Sequence, residues 1–188
     1  MWELGIIGKV DKIVDDKMRF YAFIGLAIST AAAIEHGLFD CFDSATGGDK
    51  KANAQEFYKS TDFKHKRDLA DKAVRARLTD RKTLETWNDI ICELDSVCGR
   101  NSARNLVGHN PLITSFLVRR NDDGTPDLIG GSAVYSEDSV RQNWNVVLAE
   151  KRKNAKHTLK TFRQYAYDIC GAHMRLYEFH QRYLATPS

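Results

Sequence analysis

The sequence predicts an all-α fold: a four- to five-helix up-and-down bundle with a small β-hairpin inserted before the last helix. Three observations predict it. The prolines are Pro111, Pro126 and Pro187, so the first 110 residues hold no proline and leave room for long helices. Apolar residues recur in alternating steps of four and three, the spacing of helices packed lengthwise. One segment departs from that pattern: at about 112–136 two short apolar runs flank Asn121-Asp122-Asp123-Gly124, which reads as strand, turn, strand. The 188 residues are expected to form a single domain over 1–188.

The first predicted helix runs from about Asp11 to Ser44, with the stripe Phe20, Ile24, Ala27, Ala31, Ile34, Leu38 and Phe42. Thr46-Gly47-Gly48 ends it, because glycine accepts the left-handed conformation that closes a helix. The lysine-rich stretch Asp49 to Ser60 is compatible with a short helix. A further helix is predicted over about Phe63–Leu78, with Leu69, Ala73, Ala76 and the stem of Arg77 inward. Thr79 or Asp80 can cap the next, expected over Arg81–Leu106 with Leu84, Trp87, Ile91, Leu94 and Cys98 as its stripe. Ile113 to Arg120 and Leu128 to Tyr135 form the hairpin. The last helix is expected from about Ser139 to Leu184, its stripe including Phe162, Ala166, Ile169, Cys170, Met174 and Tyr177.

Composition narrows the function classes. The chain carries 28 basic and 25 acidic residues, net +3, too balanced for a general nucleic-acid coat. Cys41, Cys92, Cys98 and Cys170 have no zinc-ligand spacing, so they read as buried free thiols in a reducing cytosol, with no metal and no cofactor. The N-terminus lacks the pattern of a signal peptide. The most apolar window, Phe20 to Ala33, reads as too short to span a bilayer and runs into Glu35 and His36. A cytoplasmic protein without a membrane segment is expected.

The densest polar cluster is Gly99 to Asn110. Arg100 and Arg104 lie four apart on one helical face, and Asn101 and Asn105 form a second such pair. His109 follows, where Gly108 and Pro111 favour a turn. Two guanidinium groups, two amides and an imidazole suit a phosphodiester: arginine grips the anion with a fork of donors, and histidine moves protons near neutral pH. Arg152/His157 and Arg175/His180 have the same spacing. They lie inside the last predicted helix, where five positions turn the side chains apart by about 140°.

Arg104-Asn105-Leu106-Val107-Gly108-His109 resembles the motif of HEPN domains: an arginine, a polar residue, further positions, then histidine. Ala31-Ala32-Ala33-Ile34-Glu35-His36-Gly37-Leu38-Phe39 is similar to the first helix of small bacterial HEPN-like proteins, with an acidic residue inside an apolar helix. The resemblance covers about Phe20 to Asn110 and the final helix, without the hairpin. It implies a helical bundle that forms a homodimer and joins two copies of the motif. It further implies a metal-independent endoribonuclease of a toxin or antiphage system, with an RNA substrate and a cognate antitoxin or other partner protein. Carried onto this chain, it implies Arg104, His109 and Asn105 as catalytic, Arg100 and Asn101 as substrate-binding, and Glu35 as supporting.

Each residue has an ordinary alternative. Arg100 and Arg104 can pair with Asp95 or Glu93, and His109 can cap the helix end. Glu35 is either the buried partner of an arginine from the Arg81–Leu106 helix or simply exposed. His36 reads as surface or core. Lys151, Arg152, Lys153, Lys156 and Lys160 read as a solvated face or an RNA-steering patch. The aromatic set Phe162, Tyr165, Tyr167, Tyr177 and Tyr183 reads as core or dimer interface. A non-catalytic HEPN-like dimerisation or protein-binding module is the competing function. A nucleotide sensor with an arginine clamp is the third.

Overall fold

The computed structural model describes the backbone of residues 2–99, 112–120, 126–135 and 155–185, and the side chains of residues 15, 17–99 and 160–185. Helix α1 spans Trp2–Thr46, 45 residues in all. It is followed by α2 (Lys50–Phe57), α3 (Phe63–Arg77) and α4 (Arg81–Cys98). Strands β1 (Leu112–Arg120), β2 (Pro126–Tyr135) and β3 (Ala155–Thr158) come next, then α5 (Leu159–Phe179), which widens into a π-turn at His180–Leu184, with Ala185 N–H donating to His180 O. Five helices among the described residues make this a helical bundle. The chain divides into two compact units: residues 1–26 with 103–166, and residues 27–102 with 167–188.

The helix ends have visible causes. Gly47 and Gly48 take positive φ, 70° and 82°, and Gly47 N–H donates to Asp43 O at 2.8 Å, closing α1. Aspartate starts each of the next three helices. Asp49 accepts from Lys51 N at 3.0 Å and Asp62 from Lys64 N at 3.1 Å. Asp80, rather than Thr79, accepts from Thr83 N at 2.8 Å and Thr83 Oγ1 at 2.6 Å. Each satisfies amides that the helix itself leaves unpaired. Helix α4 ends at Cys98, short of the expected Leu106. Gly99 turns extended there, and a Cβ on it would run into the Asp95 carbonyl oxygen.

In the unit formed by 27–102 and 167–188, α1 buries Ala27, Ala31, Ile34, Leu38 and Phe42, as its stripe predicts, together with Phe39 and Cys41. The other faces differ from expectation by a residue or so. Helix α3 buries Phe63, Lys66, Ala70 and Val74 rather than Leu69, Ala73 and Ala76. Helix α4 centres on Trp87, Ile90, Leu94 and Val97, and α5 on Ile169, Ala172, Leu176 and Phe179, leaving Met174 and Tyr177 exposed. Trp87 meets Phe179 with ring centres 5.0 Å apart, and Phe57 sits between Phe39 and Phe42 at 5.5 and 5.6 Å. Each such buried side chain contributes about 1.5–3 kcal/mol relative to exposure.

In the other unit, Phe20 of α1 is fully buried and stacks on Phe162 of α5 at 5.4 Å. The strands form an antiparallel sheet in the order β1-β2-β3. Ser115 and Phe116 face Gly131 and Gly130 across β1 and β2, and β3 joins β2 through Ala133↔Thr158 and Val134↔His157. Strand β3 corrects the expected helix from Ser139 to Leu184: α5 begins only at Leu159. The β2 ladder gives the backbone of Ala155–Thr158 its partners, and residues 136–154, which the expected helix also covered, lie outside the described residues.

The apolar stretch of α1 is longer than the window Phe20 to Ala33. By length and composition alone, Lys17–Thr46 is able to cross a membrane, and a third of its most apolar window is buried inside the protein. Glu35, within it, finds a cation.

Candidate functional site

Arg100, Asn101, Arg104, Asn105 and His109 lie outside the described residues. What the structure defines is the end of the helix that leads into them and the fate of the two acids weighed as their partners. Asp95 is engaged by Arg67 of α3, which also binds Asp68. Burial works against the Arg67 charge, but the two carboxylates outweigh it and raise its pKa. Glu93 faces Arg175 of α5 as an ion pair without hydrogen-bond alignment. Both acids of the α4 C-terminal half therefore already carry an arginine from another helix.

Glu35 also departs from expectation. Its partner is a lysine, not an arginine, and it comes from α3: Lys66 Nζ donates to Glu35 Oε2 at 2.7 Å. The Lys66 side chain is 8% exposed and that of Glu35 20%. The ammonium lies 5.3 Å from the centre of the Tyr58 ring. Burial, then Asp40, then Glu35 push the Tyr58 phenol above its ordinary pKa. The misassigned face of α3 explains the miss: a lysine at the centre of a buried face looks like surface until α1 supplies its carboxylate.

A second constellation was not legible in the sequence. His36 and Asp40 of α1, with His173, Tyr177 and His180 of α5 and its π-turn, line one recess of about 210 Å³. Ala33 and Gly37 complete the lining. Helical spacing explains the grouping: residues 33, 36, 37 and 40 share one face of α1, and 173, 177 and 180 share one face of α5. A Cβ on Gly37 would sit 3.0 Å from Leu176 Cδ2, so glycine is what lets the two helices approach here. His36 Nε2 lies 4.0 Å from Asp40 Oδ2. His180 is tied down at both nitrogens, with Nε2 3.0 Å from Ser44 Oγ and Nδ1 3.2 Å from Gln181 Nε2. The Gln181 Nε2 nitrogen can only donate, so Nδ1 accepts from it and Nε2–H donates to Ser44. That tautomer leaves Ser44 as an acceptor, not an activated nucleophile. Among the described residues no group of three or more His, Cys, Asp or Glu could hold a metal ion.

A third feature is a cleft of about 150 Å³ between α4 and α5, with Asp89 and Thr86 on one wall and Arg175, Glu178, Arg182 and Tyr183 on the other. Its charges are mixed: the Arg182 guanidinium lies 6.0 Å from the Tyr183 ring centre, and Arg175 is held by Glu93. Arg175 and His180 turn to different helices, Glu93 on α4 and Ser44 on α1, as their five-residue spacing predicts. Cys92 is exposed, unlike the buried thiols expected, while Cys41 and Cys98 are buried and Cys170 is half-buried. No protein-family model matches the chain, and neither a curated protein nor a solved structure was found to be similar to it.

Proposed function

We propose that this chain is a HEPN-like, metal-independent endoribonuclease built on a helical bundle, with the β1–β2 pair as a hairpin inserted before the last helix. The observation that supports it is the occupancy of Asp95 and Glu93. The acids offered as ordinary partners of Arg100 and Arg104 already have arginines from α3 and α5, which favours an anion from outside as the ligand of the cluster. In this reading His109 moves the proton as the ribose 2′-oxygen attacks phosphorus and the bond to the 5′-oxygen breaks. Arg104 stabilises the charge that develops on the phosphate, Asn105 and Asn101 orient imidazole and phosphate, and Arg100 extends the anion site. The products are a 2′,3′-cyclic phosphate and a 5′-hydroxyl. A homodimer would join two clusters, and a cytoplasmic toxin or antiphage role with a cognate antitoxin would follow. Cleavage of single-stranded RNA with chelator present tests the reading, and full activity in His109→Ala would sink it.

A second reading, a non-catalytic HEPN-like module that dimerises or binds a partner protein, draws on the exposed large apolar residues Met174 and Tyr177 of α5. It requires a dimer or partner complex that survives Arg104→Ala, with no cleavage by the wild type.

A further inference from the structure

We infer that the recess between α1 and α5 binds one unpaired nucleobase that carries an exocyclic amine, adenine being the type. The inference rests on the proposed function only for the RNA strand that would present the base. Four flat rings line the recess, those of His36, His173, Tyr177 and His180, with Ala33 and Gly37 between them. Unpaired bases are recognised by stacking on aromatic and imidazole rings, combined with a few hydrogen bonds to their edges. A largely apolar recess with few convergent polar groups is also the ordinary form of a small-ligand site.

The polar groups sort by what they have left to give. His180 is satisfied at both nitrogens by Ser44 and Gln181, so it offers the recess a ring and no free edge. His173 and Tyr177 make no hydrogen bond within the described residues and retain a donor and an acceptor each. Asp40 is the one carboxylate of the lining, and its one ion-pair contact among the described residues is with the His36 imidazole at 4.0 Å, beyond hydrogen-bonding distance. A carboxylate accepts and never donates when ionised, so the ligand must bring an N–H or O–H donor. A simple anion fails that condition, since Asp40 would repel it. An aminopurine meets it: N6–H₂ donates to Asp40, a ring nitrogen accepts from His173 or Tyr177, and the faces take the rings. The imidazoles here serve as walls and positioning groups, not as catalytic residues.

The test follows the histidine ring signals of the full-length chain by nuclear magnetic resonance. The titrants are adenosine, N6,N6-dimethyladenosine and choline, in wild type, Asp40→Ala and Tyr177→Leu. Adenosine is expected to shift the His36 and His173 signals saturably. The dimethyl compound, which leaves Asp40 without its donor, should bind about tenfold more weakly. Asp40→Ala, which removes the acceptor, should erase that difference, and Tyr177→Leu should weaken both compounds. Equal binding of the two adenosines, no shift with either, or saturation by choline alone would overturn the inference, the last by marking the recess as a cation cage. RNA cleavage without adenosine binding refutes the recess and leaves the nuclease reading standing. Adenosine binding without cleavage does the reverse.

Discussion

Replacing Lys66 by methionine removes one charge and keeps most of the side chain's volume. What remains is the Glu35 carboxylate, 20% exposed, with its 2.7 Å partner gone. Breaking a fully buried pair from one side costs about 3–5 kcal/mol, chiefly because the remaining charge is uncompensated. Water reaches part of Glu35, which lowers the expectation to about 2–3 kcal/mol. In a chain of this size, 1 kcal/mol moves Tm by about 2–4 °C, so the variant should melt roughly 4–12 °C lower. Glu35→Leu should cost less, because the stranded ammonium still has the Tyr58 ring at 5.3 Å. Lys66→Met/Glu35→Leu removes both charges and should lie within about 1 kcal/mol of wild type, giving a coupling energy of the same order as the larger single effect. Equilibrium denaturation of the four proteins measures the cycle. If Lys66→Met costs less than about 0.5 kcal/mol, the pair is solvent-screened and the assignment of Lys66 to the buried face of α3 is refuted.

Other residues give independent checks. Asn53 Nδ2 donates to Asp43 Oδ1 at 2.7 Å and to Gly47 O at 2.9 Å, tying α2 to the end of α1; Asn53→Ala should cost about 2–3 kcal/mol by denaturation, the scale for losing a bond to a charged group together with a neutral one. The Tyr58 pKa is raised on folding, so its contribution is fully present below the ordinary phenol range and is lost as pH rises through the raised value. Ultraviolet titration should therefore show a late-ionising tyrosine that disappears in Tyr58→Phe. Burial, with Asp40 nearby, pushes the Cys41 thiol upward, whereas Cys92 is exposed. A thiol reagent should label Cys92 well before Cys41 in the native protein, and equal rates would contradict the packing of α1.

The sequence made the helices legible because their punctuation is local. Asp80, Gly47-Gly48 and the proline-free run act within a few residues of one another. The α1 stripe from Phe20 to Phe42 was equally clear, since one helix facing several neighbours keeps a strict spacing. The α3 face was not. Its centre is a lysine, and only the carboxylate of Glu35, 31 positions earlier, makes that lysine an interior residue. Met174 and Tyr177 extend the α5 pattern on paper, yet the helix turns Ala172 and Leu176 inward, because the close approach at Gly37 selects that side. The recess was invisible for a similar reason: His36 and His180 are far apart in sequence and meet only when α1 and α5 pack. Strand β3 was missed because a basic run in helical phase carries no sign of the ladder that β2 offers it.

In the proposed function Arg104 and His109 cleave RNA without a metal ion. The most direct measurement is the initial rate of cleavage of a single-stranded RNA in excess chelator, with end-group analysis of the products, for wild type, Arg104→Ala and His109→Ala. The expected result is 2′,3′-cyclic phosphate ends and a loss of at least about 100-fold in either variant, the scale for removing a proton-transfer group or a preorganised charge donor. Cleavage that persists unchanged in His109→Ala, or a well-folded wild type that cleaves nothing, would contradict it.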